Sequence, residues 1–598
     1  MFISSKNYYP RKAGYYVTYG KTNGKRFSYK EPITDSAEFT LAKYVDCQGI
    51  SPTEYKPMPS GRTWFGEPFI GNKKYTFKVN NITDNVLNNA FVYYNFVGRQ
   101  LQPTTINIKI NDKYNKTHNL KAYSSDLESP WGGYVKPSSN NVNFRLTDDA
   151  INLEVNYKAV GLESKVVLDQ IDINTICKTI YNGGELEIRY FPYLLENKSV
   201  FEYNIYTTNN NIEVYDITDP ADAKKVKLDV DGNLRKFKSY TNNFTYICFD
   251  NSNFKKVELG SKISNQNIHG ITPPEYVIVY KNHLKEQAQR FFNYHKSTGK
   301  EVAFIEIDKV YNEFSSGVQD GTAIRDMMKY WYDNAPEGKE PKYLLLFGAT
   351  SYDPLNRLTS NTYDLPSYQT RESIAPNSSF CSDDFFGCLD DGEGDIENNV
   401  SNFMDIAVGR IPTHDISKAK DVTNKILNYF DHNKEKFGKW QNRVTLVCDD
   451  ADKVGDRSFL KYSEVFAHEI QKRAKYVKIK KIYCNAYEQV TTPGGQKYPD
   501  VNKDIKNNFE EGTLLWMYMG HSGPKQIAHE EIVSATDANS WQHYNKLPFM
   551  VSYSCSLMPF DDPSLLSIGH YILYNPQGGA VSLLASTRSS WAAPSRDF

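Results

Sequence analysis

The sequence has no apolar run approaching the roughly 20 residues that cross a bilayer as a helix, and its first residues, MFISSKNYYPRKAGYY, lack the apolar core of a signal peptide. Cysteine is sparse. The eight residues Cys47, Cys177, Cys248, Cys381, Cys388, Cys448, Cys484 and Cys555 form no CxxC pair and no regular framework, which argues against a structural zinc knuckle or a disulfide scaffold. Net charge is also nearly absent, with 70 Lys and Arg against 71 Asp and Glu. Without a polybasic field, and with lysines scattered singly, the chain offers no footprint for nucleic acid. What remains is an ordinary globular composition over 598 residues, long enough for about three to five units.

The pattern changes near residue 270. Before it, short alternating runs such as KYTFKV, NAFVYYNFV, TINIKI, AINLEVNYK, FEYNIY and NFTYICF are separated by Asn, Gly, Asp and Pro clusters, the signature of β-sandwich domains. After it, apolar strand-length runs alternate with amphipathic stretches: PEYVIVY, HLKEQAQRFFNYHKSTG, EVAFIEI, DGTAIRDMMKYWYDNA, KYLLLFG. That order predicts a parallel sheet covered by helices. A second such series follows the long helix expected within residues 408–440. The division read from these patterns is a partial β region at 1–60, β-sandwich-like domains at 61–265, and two α/β subdomains at 270–438 and 439–598.

Residues 513–555 carry the chemistry. TLLWMYMGHSG and LPFMVSYSCSL are each an apolar run that ends in a reactive side chain, His521 in the first and Cys555 in the second. Parallel strands put their carboxyl ends on one edge of the sheet, so the two can meet there despite the 34 positions between them. A thiolate beside an imidazole is the minimal machinery of nucleophilic acyl transfer. Taken from these residues alone, a buried inert cysteine and a capping histidine are the more ordinary reading, and it is the family resemblance of the surrounding residues that favours the catalytic one. The loop from Asp383 to Asp395 likewise has two readings, a Ca²⁺ site built from Asp383, Asp390, Asp391 and Asp395, or a solvated acidic turn. His269, His283, His414 and His432 stand in no metal-ligand spacing and are expected at the surface or as caps.

Several local patterns over residues 275–594 together resemble the gingipain-type cysteine peptidases: YNEFSSG, KYLLLFGATSYDP, SDDFFGCLDDGEGD, DIAVGRIP, the Gly520–His521 pair, the strand end at Cys555, and GGAVSLLASTRSSWAAP. In the β half, SGRTWFGE, VVLDQIDIN and VYDITDP are similar to segments that precede the peptidase domain in the sortase branch, which serves the type IX secretion system of Bacteroidota. The fold this resemblance implies is multidomain β plus α/β, with a caspase-like catalytic domain in two subdomains.

Residue by residue, the resemblance implies Cys555 as nucleophile, His521 as acid and base, and Asp452 as the carboxylate that orients the histidine. Backbone donors to the oxyanion would come from Ser522 and Gly523 and from the turn at Cys555 and Ser556. The sequence departs from the family's Gly-His-Gly with Ser522, which places a side chain in that turn. Glu530 falls where the family loop carries an acid, and Trp591 where an aromatic walls the substrate pocket. No cofactor is required on this reading. The partners implied are proteins bearing C-terminal sorting domains, other type IX secretion components and a lipopolysaccharide amine as acceptor, at the outer face of the outer membrane. A secreted endopeptidase and a non-catalytic surface-binding protein are the alternatives. Members of this family continue past their last sheet strand with an immunoglobulin-like module, so the full protein is expected to extend beyond Phe598, while at the other end two readings stay open, a mature chain that starts at Met1 or a longer one.

Overall fold

The computed structural model describes residues 26–83, 88–123, 138–161, 164–189, 200–240, 244–253, 258, 260, 262–397, 402–431 and 436–590. Alternation of burial along the early strands makes sandwiches: Thr104–Ile110 is buried at every second residue, so one face of the strand enters a core. Strands Lys43–Ile50, Lys165–Lys178, Ala90–Arg99 and Ser138–Phe144 form one antiparallel sheet in that order. A second sheet, Gly71–Lys78, Ala150–Tyr157, Thr104–Ile110 and Tyr114–Leu120, faces it over a core that includes Tyr94, Phe96, Ile106 and Leu153. The first sandwich therefore begins upstream of the boundary expected at residue 60, because Lys43–Ile50 pairs with a strand more than 100 residues away.

A second sandwich follows. Phe39–Leu41, Val200–Tyr206, Leu234–Tyr240 and Asp229–Asp231 make one sheet, and Glu185–Arg189, Thr245–Asp250, Ile212–Asp216 and Lys224–Lys225 the other. Tyr203 stacks on Phe237 at 5.1 Å in its core. The link from the β half to the α/β half includes residues 60–64. Gly61 N–H donates to Gln369 Oε1 (3.1 Å), Thr63 N–H to Ser373 Oγ (2.9 Å), and the Arg357 guanidinium lies 4.3 Å from the buried Trp64 ring.

The α/β half has two parallel sheets. In the first, β1 (Tyr276–Tyr280), β2 (Val302–Glu306), β3 (Tyr343–Phe347) and β4 (Ala407–Ile411) are ordered β2-β1-β3-β4. The second contains β5 (Arg443–Cys448), β6 (Lys478–Tyr483), β7 (Leu515–Met519), β8 (Phe549–Tyr553) and β9 (Ser582–Ala585), ordered β6-β5-β7-β8-β9 with every neighbour parallel. Strands β5 and β7 are buried almost throughout, as near-continuous apolar runs require when both faces are covered. Helices α1 (Lys285–Ser297), α2 (Ile307–Phe314), α3 (Thr322–Asp333) and α4 (Ile416–Phe430) belong to the first unit. Helices α5 (Arg457–Arg473), α6 (Pro499–Glu511), α7 (Ala535–Ser540) and α8 (Ile568–Tyr574) belong to the second.

Helix α4 joins the two units. Its start is set by Asp415, whose carboxylate accepts the Ser417 and Lys418 N–H groups, and its buried face is Ala419, Val422, Thr423 and Lys425. Ile278, Phe347, Ile411 and Val422 share one core with Met558 and Leu573 of the second unit. Lys425 is fully buried there and donates to Gly578 O at 3.0 Å; burial pulls its ammonium down to about 7. No helix among the described residues is long and apolar enough to cross a membrane.

Candidate active site

Strands β7 and β8 are adjacent and parallel, with Met519 opposite Tyr553. Both strands end at the same edge of the sheet, and two residues further on come His521 and Cys555. The turn after β7 requires glycine. Gly520 has φ +158°, and a Cβ there would lie 2.3 Å from Asp449 Cβ and 2.5 Å from the Tyr518 hydroxyl. Asp449 comes this close because its Oδ2 accepts the His521 N–H at 2.8 Å. The Tyr518 hydroxyl sits between that same oxygen (3.1 Å) and His521 O (2.6 Å). Burial pushes the Asp449 carboxyl up to about 6, and the neighbouring Asp450 adds to the rise.

The His521 ring is held from several sides. Nε2 faces Asp456 Oδ1 at 3.3 Å, His529 stacks on it at 4.9 Å, and Phe459 meets it edge-on at 5.2 Å. Asp456 sits in the short turn that leads into α5, where its other oxygen accepts the Lys453 N–H at 2.8 Å. Asp452, expected against His521, instead faces His529 Nδ1 at 3.5 Å. The physical reason lies in the loop: the turn into α5 fixes Asp456 toward His521, while Asp452 stays in the half-exposed stretch before it.

Cys555 is partly exposed, and its Sγ lies between Ser590 N (3.4 Å) and Ser590 O (3.5 Å), the first donating to it and the second accepting its S–H. Ser522 ties the two loops together. Its hydroxyl is 2.6 Å from Cys555 O and 2.6 Å from Ser554 Oγ, and its φ is not positive. The left-handed conformation falls instead on Ser556, with φ 48°. Two of the expected oxyanion donors are already engaged, because Gly523 N–H donates to Gln526 O (3.0 Å) and Ser556 N–H to Arg588 O (3.0 Å). Arg588 is fixed by a buried ion pair with Asp561, Nη2 to Oδ2 at 2.9 Å.

Glu530 does not face a substrate pocket. It is 3% exposed and gathers with Asp449 and Asp450 beneath the histidine loop, where its Oε2 meets no hydrogen-bond partner and burial raises its pKa. The reversal comes from the backbone, since Ala528 (φ 62°) and Glu531 (φ 59°) on either side adopt left-handed conformations that turn Glu530 inward. Three buried carboxylates of this kind are a donor set for a hard cation. Trp591 lies outside the described residues, as does His432.

The acidic loop is not gathered as a cation site. Asp383 is paired with Arg410 (Oδ2 to Nε 2.6 Å, Oδ1 to Nη2 2.9 Å), and Asp391 reaches Lys329 Nζ at 3.0 Å. Asp390 and Asp395 use backbone carbonyls toward Arg325 and Asn402. Among the described residues neither they nor Asp383 and Asp391 belong to a group of converging metal ligands. Asp449, Asp456, Phe459 and His529 are the site residues that reading the sequence left out. Only Asp449 carried a signal, as the first residue past an apolar strand beside the histidine strand.

The model of peptidase family C25 matches residues 270–598, more than half of the chain. The chain belongs to peptidase family C25. Among solved structures, dimeric latent PorU from Porphyromonas gingivalis is similar at a TM-score of 0.59 and 21% identity, covering 72% of this chain and 44% of that one. The chain thus spans less than half the length of PorU. The complex of pro- and mature domains of RgpB from the same organism gives a TM-score of 0.40 at 19% identity, covering 54% of this chain and 67% of that one. No curated protein matches. Family C25 is a family of cysteine peptidases, and the PorU likeness establishes the fold of this chain: β-sandwich domains followed by a caspase-like α/β unit in two subdomains.

Proposed function

We propose that the chain is a cysteine endopeptidase of the sortase kind that removes C-terminal sorting domains from type IX secreted cargo at the outer face of the outer membrane. The observation that carries the catalytic part is the placement of His521 and Cys555 at matching positions past two neighbouring parallel strands. Cys555 Sγ, as thiolate, attacks the scissile carbonyl. His521 Nε2 is turned to Asp456, which leaves Nδ1 to take the thiol proton and return it to the departing amine. The Ser522 and Cys555 amides, which carry no hydrogen bond among the described residues, are left to donate to the oxyanion. The thioester then passes its acyl group to water or, in the sortase reading, to an amine on a lipopolysaccharide, whose lost proton goes to His521. Asp456 orients the imidazole in both half-reactions.

The sandwich segments similar to those of the sortase branch support the sortase reading over a secreted endopeptidase. Mass spectrometry of cargo from cells with the parent chain and with Cys555→Ala tests it. A conjugated new C-terminus that disappears in the variant supports sortase action. A free carboxylate means an endopeptidase, and uncleaved cargo in both strains removes the enzymatic reading.

A further inference from the structure

The carboxyl edge of the first sheet, which contributes nothing to the thiol and imidazole pair, brings together His283, Asp364 and His414. Each follows a different strand. His283 comes three residues after β1 and His414 three residues after β4, while Asp364 lies in the loop after β3. Since β1, β3 and β4 are consecutive parallel neighbours, these three loops open into one crevice, the place where open α/β sheets hold ligands. The 131 positions between the two histidines hid them from any reading of chain spacing.

The set has the form of a built ligand cage. One nitrogen of each histidine and one oxygen of Asp364 lie within 4.8 Å of one another. His414 Nδ1 is 2.9 Å and His283 Nε2 3.9 Å from Asp364 Oδ1, bracketing the separation of about 3.4 Å between donors that each stand about 2.1 Å from a tetrahedral ion. The Asp364 side chain is 2% exposed, and its other oxygen accepts the Ala349 N–H at 3.1 Å, the kind of second contact that orients a ligating carboxylate. Gly348 makes room for it: with φ +156°, a Cβ there would lie 2.9 Å from Asp364 Cβ. Both imidazoles keep an edge to solvent, and their rings are 4.3 Å apart. One side thus stays open for entry and for a fourth ligand.

We propose that His283, Asp364 and His414 bind a first-row transition-metal dication, Zn²⁺ foremost. Two imidazoles and one carboxylate suit zinc rather than Ca²⁺ or Mg²⁺, which take oxygen donors almost alone. His283 Nε2 is 3.1 Å from His414 O; on binding, the ion takes the place of the proton on that nitrogen, which is released to solvent. Bound there, it ties the lead-in of α1 to that of α4, the helix shared by the two subdomains.

The test uses the full chain carrying Cys555→Ala, so that the reactive thiol does not compete for metal. Equilibrium dialysis with Zn²⁺, and visible absorption of Co²⁺ in its place, compare this protein with versions that also carry His283→Ala and His414→Ala together, or His414→Gln alone. The glutamine keeps a donor toward Asp364 and guards against a folding artefact. Expected is one bound equivalent with tetrahedral-type Co²⁺ absorption, lost in the double variant by more than the roughly 100-fold that removal of a supporting group causes. The glutamine variant shows a clear loss in the same direction, and Zn²⁺ raises the melting temperature of the Cys555→Ala protein only. Equal uptake by all three proteins, or none by the Cys555→Ala protein, overturns the site.

Discussion

Met519 and Tyr553 are register partners on neighbouring parallel strands, and His521 and Cys555 each stand two positions beyond them. The sheet therefore delivers an imidazole and a thiol to the same height without any contribution from chain proximity. Asp449 at the end of β5 completes the row by holding the His521 backbone amide, so three consecutive strands of one sheet build the site.

The first expectation concerns thiol reactivity. Among the eight cysteines only Cys47 and Cys555 are not buried. Burial pushes the Cys47 thiol up to about 11, so at pH 7.5 roughly one molecule in several thousand carries it as thiolate. Iodoacetamide at that pH should label Cys555 well before Cys47 and the buried six, as peptide mapping will show. Comparable labelling of Cys47 and Cys555 would count against an activated thiol.

Asp456 and Asp452 give a direct contrast. Asp456→Asn removes the carboxylate beside His521 Nε2 and should lower kcat for a peptide substrate by about 100-fold, less than loss of the nucleophile, since an orienting acid is the least costly member to lose. Asp452→Asn disturbs only the contact to His529 and should cost no more than about threefold, in line with a half-exposed ion pair. Steady-state kinetics of the two variants decides, and the reverse order would return the orienting role to Asp452.

Much of this arrangement was legible in the sequence because it rests on periodicity. The alternation in Thr104–Ile110 announces a half-buried strand, and the apolar runs of β7 and β8 announce strands covered on both faces. The positions of His521 and Cys555 just past two such strands were legible for the same reason, whereas their reading as a reactive pair rested on the family resemblance and not on the periodicity. The orienting acid was not legible. Asp449, Asp450, Asp452 and Asp456 occupy one connection, and which of them meets the imidazole depends on where α5 begins and how its first turn is rotated. Glu530 was misjudged because left-handed residues on both sides of it invert the loop, a conformation that neither Ala528 nor Glu531 advertises.

Asp449 makes stability depend on pH in a defined direction. Burial raises its folded-state pKa to about 6, above the ordinary carboxylate value of about 3.8, so proton uptake stabilises the fold. That contribution is fully present below about pH 3.8 and is lost as pH rises through about 6, amounting to about 2–3 kcal/mol. Asp449→Asn removes the penalty of the buried charge while its amide oxygen still accepts the His521 N–H. The variant should melt higher than the parent at pH 8, with the gap shrinking as pH falls toward 4.5. A gap that stays constant over this range would show that the carboxylate does not titrate there.

Ser522 is the remaining case, because a hydroxyl there does what a glycine cannot. Its Oγ bridges the histidine loop to Cys555 O and Ser554 Oγ, and Ser554 is in turn 2.6 Å from Ser552 Oγ, so one hydroxyl chain braces both reactive loops. Ser522→Ala should lower stability by about 1 kcal/mol, the ordinary net worth of such a bond. It should also reduce kcat by about tenfold, since a small misplacement of the reacting pair is costly. Ser522→Gly separates the two possible origins of that loss. If the hydroxyl bridge is what matters, glycine and alanine will be equally impaired in kcat, and glycine will in addition be somewhat less stable through its greater freedom when unfolded. If glycine instead restores or exceeds the parent rate, then the turn prefers backbone freedom to the bridge. Melting curves and kcat for the three proteins distinguish these outcomes, and the φ of Ser522, which is not positive, favours the first.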